Sequence, residues 1–247
     1  MKMDFIDKTV IITGGTRGIG LAILKLFKKN NATIIATGTN KEKISKLNKD
    51  NKNNKIKYLY LDFTVESSIN SFLIQISKLD KIDILVNNAG ANKISSIKNI
   101  KTEDWDMLNN INLRGPFLIT REISKVMELN TYGRIINISS IFGTISKSKR
   151  ASYSTTKWGL IGFTKAVALD LASKGVLVNA VSPGFVDTSL TREILGEDEL
   201  KKLISTIPQK RLADPKEIAK TILFLSSDEN TYITGQNIII DGGYTSA

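Results

Sequence analysis

The chain has 247 residues, 41% of them hydrophobic, and a formal charge of +11 from 35 basic and 24 acidic side chains. This length suits one α/β domain, because a single core can grow to about 250 residues before a chain divides. The sequence has no cysteine and no histidine, which excludes disulfides, Cys/His zinc sites, thiol nucleophiles and triads that use an imidazole. Acid–base chemistry near neutral pH therefore falls to a carboxylate, a lysine or a tyrosine with a shifted pKa.

The beginning of the chain and its charge indicate where the protein works. Asp4 and Asp7 precede a short apolar run, which is unlike a signal peptide, and the longest apolar runs are far below the ~20 residues of a membrane span. Lysines cluster between 41 and 57 without interleaved aromatic residues, which favours a solvated surface over a nucleic-acid site. We expect a cytoplasmic protein without a membrane, nucleic-acid or metal partner, whose positive charge favours anionic ligands.

Seven short apolar runs alternate with segments of helical length, and each run is typical of a buried strand. They are Thr9–Thr13, Thr33–Ala36, Ile56–Leu61, Ile82–Val86, Arg134–Ile138, Val176–Val181 and Asn237–Ile240. Because crossovers between parallel strands are right-handed, this pattern predicts a single α/β domain over residues 1–247. Its core is a doubly wound, Rossmann-type parallel sheet of about seven strands with helices on both faces. The polar stretch 187–207 is either a helical lid over a substrate pocket or an ordinary pair of surface helices.

The first predicted strand leads directly into a glycine-rich turn, Thr13-Gly14-Gly15-Thr16-Arg17-Gly18-Ile19-Gly20, followed by an apolar helix. Its glycines permit a tight turn and a close approach of a dinucleotide pyrophosphate to the helix N-terminus. A purely structural turn is the alternative interpretation.

The end of the second strand bears on the choice of cofactor. The segment Ala36-Thr37-Gly38-Thr39-Asn40 has no carboxylate that would repel a 2′-phosphate, while Arg17 and Lys41 are placed to pair with one. The sequence therefore favours NADP(H) over NAD(H). Asp62, after the third strand, either accepts a hydrogen bond from the adenine amine or serves as a turn residue before a helix.

A tyrosine and a lysine are the candidate residues for proton transfer. Tyr153 and Lys157 are spaced i, i+4, which places the phenol and the ammonium on one helix face. A nearby cation lowers the pKa of a phenol from about 10 toward neutrality, so Tyr153 becomes a usable proton donor or acceptor. Ser140 follows the fifth strand, where open α/β sheets present ligand-binding groups.

Together these motifs resemble the short-chain dehydrogenase/reductase family, of the type that includes 3-oxoacyl-acyl-carrier-protein reductases. The resemblance spans nearly the whole chain. Its further motifs are LDF at 61–63, NNAG at 87–90, the Asn of INL at 111–113, SPGFVDT at 182–188, TGQ at 234–236 and DGG at 241–243.

The resemblance implies a catalytic set of Asn112, Ser140, Tyr153 and Lys157. Ser140 would orient the substrate oxygen and Tyr153 would transfer the proton. Lys157 would lower the pKa of Tyr153 and hold the nicotinamide ribose, while Asn112 would hold a water that links Lys157 to solvent. Ser139 competes with Ser140 for the hydroxyl role, and the thirteen-residue spacing to Tyr153 favours Ser140.

The resemblance also implies which residues contact the cofactor. They are Gly14, Thr16, Arg17, Gly18, Ile19, Gly20, Thr39, Asp62, Phe63, Asn88, Ala89, Gly90, Tyr153, Lys157, Pro183, Gly184, Val186 and Thr188.

The same resemblance implies a homotetramer, assembled through the helix of Tyr153 and Lys157 and through the last helix and strand. The loop 141–150 and the lid 187–207 would line the substrate pocket. Carrier reductases of this type have a basic patch before the fifth strand, but residues 127–132 contain no positive charge here. Lys174 remains in a second patch, and Lys147, Lys149 and Arg150 are the cations that would substitute in docking an acyl carrier protein.

We therefore predict an NADP(H)-dependent carbonyl reductase whose first substrate candidate is a 3-oxoacyl thioester, either small or bound to a carrier. An NAD(P)-dependent dehydrogenase of a sugar or another small alcohol is the alternative. A non-catalytic nucleotide-binding protein is a remote third, because a pure binder has no need of the proton-transfer residues.

Overall fold

A computed structural model describes residues 3–51, 55–194 and 196–246. Their strands form one parallel sheet in the order β3-β2-β1-β4-β5-β6-β7. The strands are β1 (Thr9–Ile12), β2 (Thr33–Gly38), β3 (Ile56–Tyr60), β4 (Ile84–Asn87), β5 (Gly133–Ile138), β6 (Val176–Pro183) and β7 (Asn237–Ile240). The doubly wound sheet is thereby confirmed, and all seven predicted strands are present with ends that differ by at most two residues.

Helices cover both faces of this sheet. They are α1 (Gly18–Lys29), α2 (Lys41–Asp50), α3 (Glu66–Ile76), α4 (Thr102–Asn109), α5 (Gly115–Leu129), α6 (Ala151–Leu171), α7 (Ser189–Ile194), α8 (Glu197–Thr206) and α9 (Pro215–Leu225). A π-helical segment, Asn110–Arg114, joins α4 to α5, and a 3₁₀ turn, Ile141–Gly143, follows β5. The stretch predicted as a lid or a surface helix pair is helical, in α7 and α8.

The central strands are apolar on both sides because each face of the sheet is covered. Along β1, Val10 and Ile12 join a core layer with residues of α1 and α9, such as Phe27 and Ile222. Ile11, between them, points to the opposite layer, where α3, α5 and α6 pack. This continuous apolar sequence is what a parallel strand buried on both faces requires.

A chain of polar side chains crosses the middle of the second layer. The Asn87 amide donates to Thr120 Oγ1 on α5 (3.1 Å) and to Asn137 Oδ1 (2.8 Å), its register partner on β5. The Asn137 amide donates in turn to Thr164 Oγ1 on α6 (2.9 Å). These side chains therefore connect two strands with the two helices that cover them.

Parallel strands bring the segments that follow them to one edge of the sheet. The turns after β1 to β6 accordingly meet at this carboxyl edge, around the point between β1 and β4 where the strand order reverses. None of the helices in the described part of the chain has the length and apolar character needed to cross a bilayer.

Candidate active site

The glycine turn after β1 forms the floor of a groove at the carboxyl edge. Gly14 has φ +67°, a left-handed conformation that favours glycine. A Cβ atom on Gly20 would overlap the carbonyl oxygen of Gly14, so no larger residue fits there. The side chain of Thr37 accepts a hydrogen bond from the Gly14 amide (3.2 Å) and fixes the turn against the end of β2.

The N-terminus of α1 is open to an anion. Its N-cap residue, Arg17, makes no side-chain capping bond, and the first turn contains no acidic residue. The unpaired N–H groups and the helix dipole of such an N-terminus favour a phosphate. The exposed Arg17 side chain has no hydrogen bond or ion pair within the described residues.

The end of β2 brings a different lysine to this turn from the one predicted. Asn40 caps α2 by accepting from the Lys43 amide (2.7 Å), and Lys43 Nζ donates to the Thr16 carbonyl (3.2 Å). Lys41 instead lies 4.8 Å from the ring centre of Tyr60. Lys43 rather than Lys41 therefore contacts the glycine turn, because the helix directs Lys43 toward Thr16.

Asp62 has the turn role that the sequence left open. Its Oδ1 accepts from the amide and the hydroxyl of Thr64, at 2.9 and 2.7 Å. Asp62 and Phe63 also line the groove, and Asp62 is the one acidic residue in its described lining. Asp62 therefore serves as a turn residue and also belongs to the lining of the groove.

The Asn88-Ala89-Gly90 segment closes the groove on the side of β4. Thr13 Oγ1 accepts from the amides of Asn88 and Ala89, both at 3.0 Å. The Asn88 side chain donates back to the carbonyls of Thr13 and Gly14 (2.9 and 3.1 Å). Thr13, which the prediction of contact residues omitted, is thus the residue that joins the two turns.

A second cavity adjoins the groove and contains the predicted proton-transfer residues. Ser140, Tyr153 and Lys157 line it together with the predicted nicotinamide residues Pro183, Gly184, Val186 and Thr188. The two cavities share Ile19, Asn88, Gly90, Ala91 and Thr188. Every predicted site residue except Asn112 therefore lines one of two adjoining cavities.

The two adjacent serines differ in their partners. Ser140 Oγ accepts from the Phe142 amide (3.2 Å), and its hydrogen bond with Tyr153 lowers the pKa of that phenol. Ser139 Oγ donates to the main-chain carbonyl of Lys157 (3.0 Å). Ser140 therefore lies beside the Tyr153 phenol, whereas Ser139 connects the end of β5 to α6.

Tyr153 and Lys157 have pKa values set mainly by burial. Burial raises the pKa of Tyr153, against the lowering effects of the Ser140 hydrogen bond and the Arg150 charge. Burial lowers the pKa of Lys157 to about 8. Lys157 Nζ lies 5.7 Å from the Tyr153 ring centre and donates to the Ile138 carbonyl (2.9 Å). Burial outweighs the lowering effects, so the pKa of Tyr153 is not brought down toward neutrality as the sequence predicts.

Asn112 lies behind the cavity, fully buried in the π segment. Its side chain accepts from the Ala91 amide and donates to the Ala91 carbonyl, both at 2.9 Å, and also donates to Thr156 Oγ1 (3.1 Å). Both amide hydrogens are therefore committed to protein groups. Asn112 therefore holds the segment after β4 against α6, where its partner Thr156 directly precedes Lys157.

Sequence reasoning missed several individual residues that line the catalytic cavity. Phe142 and Phe185 pack edge to face with ring centres 6.3 Å apart, and Phe142 packs likewise against Tyr153 (6.4 Å). Asn92 and Thr191 also line the cavity. Their positions in the loops around predicted motifs were the available signal, but those loops do not show which side chains turn inward.

The sequence places Arg150 both among the cations that would dock a carrier and in the loop that lines the substrate pocket. Its side chain lines the catalytic cavity, half-buried, with the guanidinium 5.3 Å from the Phe142 ring centre. Lys147 and Lys149, in the same loop, are exposed.

Comparison with known proteins agrees with this geometry. A family model described as enoyl-(acyl carrier protein) reductase matches residues 14–245. The chain is 40% identical over 247 residues to the 3-oxoacyl-[acyl-carrier-protein] reductase FabG of Aquifex aeolicus, covering 98% of this chain and 99% of the relative. The chain belongs to the short-chain dehydrogenase/reductase family. It is accordingly an NAD(P)-dependent oxidoreductase that acts on CH–OH groups.

Solved structures of short-chain dehydrogenases and reductases share the fold. ElxO with bound NADP superposes with a TM-score of 0.89 at 33% identity, covering 97% of this chain and 99% of that one. A gluconate 5-dehydrogenase of Burkholderia cenocepacia, in complex with NADP and tartrate, has a TM-score of 0.90 at 26% identity and covers 100% and 98%.

The residues of this chain fit a nicotinamide dinucleotide. The side-chain-free surface at Gly14 and Gly20 and the uncapped N-terminus of α1 form a cradle for the pyrophosphate. Lys157 has three donors, of which one binds the Ile138 carbonyl, which leaves donors for ribose hydroxyls.

Proposed function

We propose that this protein is a cytoplasmic NADPH-dependent reductase of 3-oxoacyl thioesters. The proposal is supported most by one observation: Ser140, Tyr153 and Lys157 converge in one cavity of a chain that is 40% identical over nearly its full length to a 3-oxoacyl-carrier reductase. The reaction adds a hydride to the ketone carbon and a proton to its oxygen, giving the 3-hydroxyacyl product.

The chain's own residues supply the proton. When bound, the reduced nicotinamide supplies the hydride. Ser140 and Tyr153 both donate hydrogen bonds to the carbonyl oxygen, and Tyr153 passes its proton to that oxygen. The raised pKa of Tyr153 keeps the phenol protonated at neutral pH, ready for this step. Lys157 and Arg150 then stabilise the resulting phenolate, and Lys157 returns a proton toward it.

Asn112 would support this proton transfer by positioning a water that links Lys157 to solvent. Its side chain has no free amide hydrogen, so a water between Lys157 and solvent would bind its main chain. The π segment favours this role, since such segments replace regular i+4 hydrogen bonds and occur at functional sites.

NADP(H) is proposed as the preferred cofactor. Arg17 has no protein partner in the described residues, and Lys43 lies against the same turn. The neutral Thr39 stands at the end of β2, so no carboxylate opposes a 2′-phosphate there. A guanidinium suits a phosphate because its donors match two oxygens at once.

An acyl carrier protein is the proposed macromolecular partner. Lys147 and Lys149 are exposed next to the catalytic cavity, and the loop 141–150 contains no acidic residue. Lys174 precedes β6 and thus lies at the amino edge of the sheet, away from Ser140 within one chain. The docking cations of this chain are therefore Lys147 and Lys149 rather than Lys174.

A homotetramer is proposed as the assembly. Trp158 and Leu169 on α6 are 52% and 83% exposed, a large apolar area for a helix surface. Gly162, between them, has open space where a Cβ would stand. A glycine within a helix costs roughly 1 kcal/mol relative to alanine, and close packing of a second helix would explain it. Light scattering of Gly162→Trp should then show smaller particles than the wild type.

A sugar-acid dehydrogenase is the second candidate. The similarity to a gluconate 5-dehydrogenase and the cation Arg150 within the cavity favour it. One assay separates the candidates: consumption of NADPH and NADH with an acetoacetyl thioester, free and carrier-bound, beside oxidation of gluconate with NADP⁺. Turnover of gluconate without turnover of either thioester would overturn the first proposal.

The dependence of the rate on salt concentration tests whether an acyl carrier protein docks. Carrier-bound substrate should react faster than the free thioester at low ionic strength, and added salt should remove this advantage because exposed charges are screened within about 10 Å at 0.1 M. The double variant Lys147→Glu, Lys149→Glu should lose the advantage while it reduces the free thioester normally.

A further inference from the structure

The catalytic cavity contains two cations, Arg150 and Lys157, and no acidic residue in its described lining. Resting on the proposed carbonyl reduction, we propose that Arg150 forms a subsite for a carboxylate one or two carbons from the reacting carbonyl. The site then reduces free 3-oxo acids, such as acetoacetate, as well as thioesters.

Among the described residues, the guanidinium of Arg150 has no hydrogen-bonding or ionic partner. Its ring contact is with Phe142, and in the described part of the chain its side chain makes no hydrogen bond and no ion pair. Nη1 is buried without a hydrogen-bond partner. A donor that is buried and unpaired costs roughly 1–3 kcal/mol, and more when charged, so its retention points to a ligand.

The other arginines of the chain show what this side chain does elsewhere. Arg114, Arg192 and Arg211 each pair through two nitrogens with a carboxylate, at distances of 2.6 to 3.3 Å. Arg121 pairs with a glutamate and Arg134 donates to main-chain carbonyls. Within the described residues, Arg17 and Arg150 are the arginines without a partner, and each lines a cavity of the site.

The backbone around Arg150 supports the same subsite. The segment after β4 is joined to the loop of Arg150, because the Ser95 amide donates to the Lys149 carbonyl (3.2 Å). Lys149 has φ +65°, a strained conformation for a residue with a side chain. The chain thus holds Arg150 in place at a conformational cost.

The position of Arg150 fits a short substrate. The Arg150 guanidinium and the Tyr153 ring both pack against Phe142, at 5.3 and 6.4 Å from its ring centre, so the two groups are near each other. With the ketone oxygen at Ser140 and Tyr153, a carboxylate at C1 of a 3-oxo acid would reach the guanidinium and pair with it through both oxygens. In the reaction the ketone carbon gains the hydride, its oxygen gains the Tyr153 proton, the nicotinamide is oxidised and the carboxylate is unchanged.

Acetoacetate and its neutral N-acetylcysteamine thioester provide the test, since they share the ketone and differ in charge at C1. The wild type should reduce both with NADPH. Arg150→Gln should lower kcat/KM for acetoacetate at least 10-fold more than for the thioester, whereas Arg150→Lys should lose less. Arg121→Gln is the matched control, because Arg121 also lies 5.3 Å from a phenylalanine ring centre but outside the cavity. It should leave both rates unchanged.

Wild-type measurements keep the test independent of a misfolded variant. Propionate, an unreactive carboxylate, should inhibit thioester reduction competitively, and calorimetry should detect acetoacetate binding to the enzyme with NADP⁺. Absence of acetoacetate turnover and of both binding signals would overturn the subsite, as would equal losses for the two substrates in Arg150→Gln. Failure of thioester reduction alone, with acetoacetate reduced, would instead overturn the proposed function.

Discussion

Two tyrosines stand beside two cations each, at opposite edges of the same sheet. At the amino edge, Tyr132 has Lys8 Nζ and the Arg134 guanidinium at 3.6 and 4.6 Å from its ring centre. At the carboxyl edge, Tyr153 has Lys157 and Arg150 near it. What separates them is the partner of the hydroxyl, an aspartate in one case and a serine in the other.

The Tyr132 hydroxyl donates a hydrogen bond to Asp228 Oδ1 (2.8 Å), and burial together with this hydrogen bond raises the pKa of Tyr132 far above 10. Lys8 also reaches Asp228 (3.5 Å). Tyr153 has no carboxylate partner in the described residues, and its neighbours favour the phenolate. The comparison teaches that a cation beside a phenol does not make it reactive: an adjacent carboxylate fixes the proton, whereas a hydroxyl and an open cavity leave it transferable.

The largest difference between the two tyrosines is expected when the hydroxyl of each is removed. Tyr153→Phe should lower kcat about 10²–10⁴-fold, the usual contribution of a positioned acid, with cofactor affinity kept. Tyr132→Phe should leave kcat within about twofold, since it lies at the far edge. NADPH consumption and a cofactor titration measure both. More than a tenth of wild-type kcat in Tyr153→Phe would contradict the assignment.

The pH profile sharpens the role of Lys157. Because burial lowers its pKa to about 8, the ammonium dominates below pH 8 and is lost above it. We expect kcat/KM for reduction to fall above about pH 8, approaching 10-fold per pH unit. Lys157→Arg, whose charge is permanent, should lack this decline even at lower activity. A wild-type profile that stays level to pH 9.5 would show that the ammonium is dispensable.

Arg17 tests whether unpaired cations at the carboxyl edge bind ligands. Arg17→Ala should weaken NADPH binding about 10-fold and NADH binding little, because only NADPH has the 2′-phosphate. Lys28→Ala, an exposed charge at the other end of α1, is the control and should change neither. Equal weakening of both cofactors, measured by equilibrium titration, would assign Arg17 to the shared pyrophosphate instead.

The smallest effect is expected at the amino edge. Tyr132→Phe removes the hydrogen bond to Asp228 and should lower the free energy of unfolding by about 1.5 kcal/mol, the lower end of the range for hydrogen bonds to charged groups, because Asp228 is largely exposed. Urea unfolding measures it, and Asp228→Asn should act in the same direction. Unchanged stability in both variants would mean that the cluster around Tyr132 contributes nothing to folding.

The sequence predicts the fold well because its signals are local. The strand β4, for example, contains the apolar run Ile84-Leu85-Val86, and the glycine turn marks the start of α1. Ser140, Tyr153 and Lys157 also follow from spacing, since the end of a strand and one helix face fix them.

The remaining features depend on burial and on side-chain contacts that the spacing of residues does not determine. Whether Arg150 points outward or into the cavity is decided by Phe142 and by the backbone of Lys149. Lys43 replaces Lys41 at the glycine turn because of how α2 is rotated. The pKa of Tyr153 depends on burial, which spacing does not contain. The catalytic roles themselves stay predictions until the variants are measured.

The amide chain through Asn87 and Asn137 has a consequence for how the active site is aligned. A slip of one residue between β4 and β5 would turn one of the two amides to the opposite face, among apolar side chains, so the pair favours the observed register. Thr164, where the chain ends, lies about three helical turns after Tyr153 and so shares its side of α6. The hydrogen bonds that favour this register therefore also fix the rotation of α6, the helix that presents the Tyr153 phenol to the cavity.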